Sequence, residues 1–399
     1  MKKITVLLLT VLLVFVLAGC SGNTLPEKTA APSTAQNTEL TPEELEEQKR
    51  LAEIERRKAQ IDGIVENMTL EEKVGQLFFL RCPSEDAPQT AERYHLGGIL
   101  LFTADYKKTE EEWLTKDEFC EKINSMQTSA KNDTGVPLFI GSDEEGGTVT
   151  RASRNPNLFS EKLCSPQELL EQGGITLLVE ETLKYNTALR SLGINVNFAP
   201  VCDITSGPEQ FMFERSFGQD AQTTADYISK VVSAFNEAKT GATLKHFPGY
   251  GDNVDTHTGI AVDDRPFSQF EAEDFLPFIA GIEAGAPFVM VNHNIVNCMD
   301  STLPASLSPE VHKVLREKLG FDGVILTDDL DMSAVKEYAE EGNIGVLALK
   351  AGNDMLVCSD LTQIDSIVNA VNNGTLDESV VDNACRHILT VKQNLGIIN

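Results

Sequence analysis

Eight short apolar runs, separated by longer segments with helical signals, constrain this 399-residue chain more than any other feature. They fall at residues 76–80, 98–102, 137–142, 194–199, 242–247, 287–292, 323–327 and 354–358. Segments such as 226–239, 308–319 and 334–351 lie between them and carry helical patterning. Near-continuous apolar strands alternating with helices call for a parallel sheet covered on both faces. Eight such units in about 290 residues predict an α/β fold, a single (β/α)8 TIM-type barrel. A doubly wound open sheet is the alternative that strand count alone leaves open. No Walker A or G-x-G-x-x-G pattern follows a strand, so nucleotide binding has no support.

The formal net charge is −28, which repels phosphate backbones and argues against a nucleic-acid partner. Simple solubility also accounts for that charge. At the N-terminus, Lys2 and Lys3 precede an apolar run over residues 4–17 and then Ala18-Gly19-Cys20. A basic start, a short apolar stretch and small residues make a secretory signal. The run falls short of the ~20 apolar residues of a membrane span. Leu17-Ala18-Gly19-Cys20 resembles the bacterial lipobox, which implies cleavage after residue 19 and lipid on Cys20. The expectation is an exported protein held on the outer face of the cytoplasmic membrane. Residues 20–40, rich in Ser, Thr, Pro and Ala, read as a flexible tether. Thr41-Pro42-Glu43-Glu44 opens a charged helix over 41–67, and Thr69-Leu70-Glu71-Glu72 begins a domain spanning 68–399. Seven further cysteines follow Cys20, an odd number whose spacing selects no disulfide and no zinc site.

In a barrel the site lies at the C-terminal strand ends. The third run leads into Asp143-Glu144-Glu145-Gly146-Gly147 and the fourth into Asp203. The fifth carries Lys245 and His246, the sixth ends at His293, and the seventh meets Asp328-Asp329. The eighth opens with Asp354 and runs out into Ser359. Converged on one face, these residues would make the acidic, hydrogen-bonding pocket that sugar hydroxyls require. Glycoside hydrolysis needs a carboxylate at the anomeric carbon and an acid at the leaving oxygen. Asp328 stands where the first is needed, although a helix-capping role is the plainer reading of one such Asp. For the second, the Gly- and Pro-rich loop 245–257 places Asp255 two residues before His257, where a carboxylate could orient the imidazole and raise its proton affinity. Six histidines and no H-E-x-x-H cluster suggest no metal, and no cofactor is expected.

Taken together, Met68-Thr69-Leu70-Glu71-Glu72-Lys73-Val74-Gly75-Gln76, Asp143-Glu144-Glu145-Gly146-Gly147, Arg215-Ser216-Phe217-Gly218, Lys245-His246-Phe247-Pro248-Gly249, the segment 320–332 around Asp328, and Ala351-Gly352-Asn353-Asp354-Met355 resemble glycoside hydrolase family 3. The likeness is to its β-N-acetylglucosaminidase branch, in a bacterial lipoprotein form. It implies Asp328 as nucleophile and Asp255 with His257 as the acid/base dyad. It further implies that Asp143, Arg151, Arg215, Lys245 and His246 hold the non-reducing sugar, with Asp203 and Asp354 as further members. The chain departs from the branch at Tyr250, where His is usual, at Thr148, where Arg often stands, and in an Asp-x-His loop one residue short. It stops at Asn399 after one barrel's worth of sequence, so a second α/β domain is not expected. The implied activity is that of a retaining exo-β-N-acetylglucosaminidase acting on cell-wall or chitin-like glycans. A family 3 phosphorylase, a β-glucosidase and a non-catalytic glycan-binding lipoprotein are the alternatives.

Overall fold

The computed structural model describes residues 41–256, 259–336, 338 and 343–398. The signal, the tether, Cys20 and His257 therefore lie outside the described residues. The chain divides into two units, Met1–Glu53 and Ile54–Asn399. Of the first, residues 41–53 are described; they are exposed and form the first half of a helix, Pro42–Asn67. Among the described residues the folded unit contains ten strands: β1 (Phe78–Arg81), β2 (Gly98–Leu101), β3 (Phe139–Ser142), β4 (Val196–Asn197), β5 (Gly241–Phe247), β6 (Val262–Asp263), β7 (Phe288–Val291), β8 (Ile295–Val296), β9 (Val324–Thr327) and β10 (Leu356–Cys358).

Eight of these form one parallel sheet in the order β10-β1-β2-β3-β4-β5-β7-β9. A parallel bridge between Leu326 and Met355 joins the two ends, so the sheet closes on itself. This is the expected (β/α)8 barrel, and among the described residues there is no second α/β domain. The remaining pair, β6 with β8, lies in the connections that follow β5 and β7.

Local sequence explains most boundaries. Thr69 Oγ1 accepts the Glu72 N–H while the Glu72 carboxylate accepts the Thr69 N–H, a reciprocal cap that starts the helix Leu70–Gln76. Such caps contribute about 1 kcal/mol each. Thr115 with Glu118 and Ser165 with Glu168 repeat the device. Gln76 belongs to that first helix rather than to the strand expected over 76–80, because its amide bonds outward to His95 O and to Lys392. The expected helix 308–319 forms as Pro309–Lys313 followed by a wider turn, Val314–Lys318. Within 334–351, Ser333–Lys336 and Ile344–Ala351 are helical.

The barrel interior is filled by aromatic rings. Phe79 meets Phe139 and Phe198, and Phe139 meets Phe288, with centroids 5.1–6.2 Å apart. Each buried ring contributes roughly 1.5–3 kcal/mol. Room for them comes from Gly141, where a Cβ would lie 2.6 Å from the Phe79 ring. The lower barrel is thus a packed plug, which leaves the C-terminal strand ends as the open face.

Candidate active site

A cavity of about 290 Å³ opens at the C-terminal ends of the strands. Asp143, Arg151, Arg215, Lys245, His246 and Asp328 line it together with Arg81, Phe102 and Asp329. These residues come from segments up to 248 positions apart, Arg81 and Asp329 being the extreme pair and ion-paired to each other.

Each side chain is held by its own support. Gly146 and Gly147 both take positive φ in the turn after β3, and a Cβ on Gly146 would lie 2.2 Å from the Cys164 carbonyl oxygen. That turn aims Asp143 and Glu145 inward, while the Glu144 carboxylate accepts the N–H groups of Arg151, Ala152 and Ser153. Burial raises the Glu144 carboxyl above its ordinary range, and those hydrogen bonds only partly offset it. The Arg215 loop is fixed by Gln167, whose amide donates to Phe213 O at 2.6 Å and Ser216 O at 3.1 Å.

At the pocket floor, Lys245 donates to Asp143 Oδ1 at 3.0 Å and pairs with Glu145 at 2.6 Å. Arg215 donates two hydrogen bonds to the same Glu145, at 2.9 and 2.7 Å. Burial alone would raise the Glu145 carboxyl, but the two cations outweigh it and hold that carboxyl well below its usual range. His246 donates from Nδ1 to Asp203 at 2.7 Å, which turns its Nε2 toward Arg215 at 3.4 Å. Arg151 lies 3.6 Å from Asp143 and over the Phe102 ring, and Arg81 stacks near the same ring. The Arg151 Nε is buried without a hydrogen-bond partner among the described residues, a donor that a ligand oxygen would satisfy.

Asp328 follows β9 directly, and its N–H donates to Val291 O at 2.9 Å. Burial would raise its carboxyl, yet His293, His246, the Asp329 N–H and Lys245 together hold it below its ordinary range. Its neighbour Asp329 behaves oppositely: burial pushes that carboxyl up to about 6 despite Arg81.

The sequence-based candidates thus divide. Asp143, Arg151, Arg215, Lys245, His246 and Asp328 share one cavity, and Asp203 stands behind His246. Asp255 is half-buried on the loop after β5 and does not line the cavity; its partner His257 is outside the described residues. Asp354 is a correction. It precedes β10, accepts the Ile325 N–H, and bonds Arg316 and His387 at the N-terminal end of the strands. It organises the closed face and cannot touch a ligand in the cavity.

The chain is similar to known proteins in sequence and in fold. The model of the glycosyl hydrolase family 3 N-terminal domain matches residues 69–391. This chain belongs to glycoside hydrolase family 3. A β-hexosaminidase A of Pseudoalteromonas piscicida is 31% identical over 280 residues, covering 66% of this chain and 46% of that one. A β-hexosaminidase of Hydrogenovibrio crunogenus is 29% identical over 316 residues, covering 76% and 85%. Among solved structures, a family 3 β-N-acetylglucosaminidase from Paenibacillus matches with a TM-score of 0.75 at 31% identity, over 83% of this chain and 63% of that one. The family 3 chain therefore spans about half of the first relative and under two thirds of the Paenibacillus structure.

Three residues lining this family 3 cavity, Arg81, Phe102 and Asp329, are not among the candidates from sequence, and neither is Glu145, which pairs with Arg215 and Lys245 behind it. Glu145 lies inside the quoted D-x-E-G-G match, which was the signal available for it. Arg81 and Phe102 end the first and second apolar runs, as the other site residues end theirs.

Proposed function

We propose that this chain is a retaining exo-β-N-acetylglucosaminidase that removes terminal N-acetylglucosamine from cell-wall or chitin-like glycans. The observation that carries the reading is Asp328, ionised at the end of β9, facing a pocket of cations, carboxylates and one imidazole. The names of the relatives support the same activity. Asp143, Lys245, His246, Arg151 and Arg215 would bind the hydroxyls and the 2-acetamido group. Their mutual ion pairs keep the donors rigid before a sugar arrives, which limits the ordering cost of binding.

In this scheme the Asp328 carboxylate attacks the anomeric carbon while His257 gives its proton to the departing oxygen. A covalent glycosyl-enzyme forms and the aglycone leaves as an alcohol. His257, now neutral, takes a proton from water; the resulting hydroxide attacks the same carbon, and Asp328 leaves as carboxylate. Two inversions give overall retention. Asp255 would hold the imidazole in one tautomer. Export and lipid attachment at Cys20 would place this chemistry on the outer face of the membrane, where peptidoglycan is turned over.

The test is kcat/KM on an aryl N-acetyl-β-glucosaminide against the matching aryl β-glucoside. The N-acetyl substrate should be favoured by ~100-fold or more, about 2.7 kcal/mol of discrimination. Equal rates would remove the assignment. Sugar 1-phosphate appearing on addition of phosphate would assign a phosphorylase instead.

A further inference from the structure

Tyr250 and the shortened Asp-x-His loop were separate departures in the sequence; in the fold they meet. Tyr250 is buried, its ring packed with Val201 and Met212, edge-on to His246 and tilted against Phe211. Its backbone N–H donates to Asp203 Oδ1 at 2.7 Å, and Asp203 Oδ2 is the acceptor for His246. At the other end its hydroxyl bonds the Thr256 hydroxyl and accepts the Thr256 N–H at 3.1 Å. Thr256 is fully buried and lies between Asp255 and His257 in the chain. One residue thus ties the carboxylate that orients His246 to the backbone that carries the Asp-x-His pair.

The rest of the loop converges on a second anchor. Arg265 pairs with Asp263 and Asp274 and donates to Gly249 O, while Asn253 bridges Tyr250 O and Asp263. Both stems are therefore held, and the Tyr250 hydroxyl holds Thr256 between them. Burial pushes that hydroxyl far above its usual range despite the Thr256 hydrogen bonds, so its proton is present at every working pH.

We infer that Tyr250 is a positioning residue for the acid/base pair, its hydroxyl fixing the backbone between Asp255 and His257 through Thr256. The inference rests on the proposed hydrolase reading. The Tyr250 ring spans from the Asp203 carboxylate, at its backbone, to Thr256, at its hydroxyl.

Tyr250→Phe keeps the ring in its pocket and removes only the oxygen, so a filler role would leave catalysis unchanged. Three variants decide the matter: Tyr250→Phe, Thr256→Val and the two combined. Each is assayed on a chitobiose-type disaccharide and on an activated aryl N-acetyl-β-glucosaminide, with His257→Ala as reference. Hydrogen exchange of the segment 250–260 is measured in parallel. Tyr250→Phe should lower disaccharide kcat by ~10–100-fold, the cost of a displaced catalytic group. KM should hold within about 2-fold and the aryl substrate should lose under about 3-fold, since its leaving group needs little proton assistance. Exchange in the segment should speed up, and the double variant should be no worse than Tyr250→Phe alone, because one hydrogen-bonded unit is being broken. Equal loss on both substrates, or unchanged kcat and exchange, overturns the inference. If His257→Ala gives the leaving-group pattern and Tyr250→Phe does not, the inference falls and the hydrolase reading stands. If His257→Ala spares the disaccharide, the acid/base reading falls and the inference with it.

Discussion

Asp203 holds His246 through a 2.7 Å bond from the imidazole Nδ1, and the two side chains are almost completely buried. The arrangement leaves Nε2 facing the cavity, next to Arg215. A neutral imidazole so oriented accepts at Nε2, and a charged one donates there.

Replacing Asp203 by Asn keeps the shape but offers an amide that can donate where the carboxylate only accepted. Asp203→Asn should lower kcat/KM by about 10²-fold, or 2.7 kcal/mol, with the loss shared by disaccharide and aryl substrates, if His246 binds the sugar rather than the leaving group as proposed. A loss confined to the disaccharide would move His246 into the acid/base role.

Lys392 gives a stability prediction away from the site. Its amine is fully buried, bonds Gln76 Oε1 at 2.8 Å and sits over the Phe139 ring. Burial pulls its pKa down to about 7. In the unfolded chain the same group titrates near ~10.4. Between these values the unfolded state holds more protons, so this group's contribution rises with pH from about 7 to ~10.4 and its deficit is complete below 7. The full deficit is at most about 4–5 kcal/mol. Lys392→Met should therefore raise the denaturation midpoint more at pH 6 than at pH 10. An equal change at both pH values would contradict a largely neutral lysine.

Anchoring is tested by Cys20→Ala. The lipobox-like Leu17-Ala18-Gly19-Cys20 and the polar stretch after it predict that the variant is active and leaves the membrane fraction. One acyl chain binds membranes only marginally, so the proposed anchor would need more than one chain on Cys20. A variant that stays with the membrane as fully as the parent would place the anchor elsewhere.

The barrel was legible because buried parallel strands must be apolar along their whole length, and runs such as 98–102 and 323–327 have no other economical reading. The site was legible where a charge follows such a run, as at Asp143, Asp203 and Asp328. The same logic misplaced Asp354, because a charge bounding a short strand marks a surface without saying which end of the barrel it is on. Here Arg316 and His387, distant in sequence, claim it for the closed face. Glu145 was hidden for a related reason: among Asp143, Glu144 and Glu145, only the fold decides that Asp143 lines the cavity while Glu145 pairs with Arg215 and Lys245 behind it. The Tyr250–Thr256 contact depends on how a loop closes over six residues, which no periodicity records.

In the proposed reaction Asp328 becomes covalently attached to the sugar. A 5-fluoro-N-acetylglucosaminyl fluoride, which keeps the 2-acetamido group and carries an activated leaving group, should inactivate the enzyme as the glycosyl-enzyme accumulates, and peptide mass spectrometry locates the added mass. The account predicts a single labelled peptide with the sugar on Asp328, and no labelling of Asp328→Ala. Label on Asp329, Asp331 or any other carboxylate, or full turnover by Asp328→Ala, would contradict it.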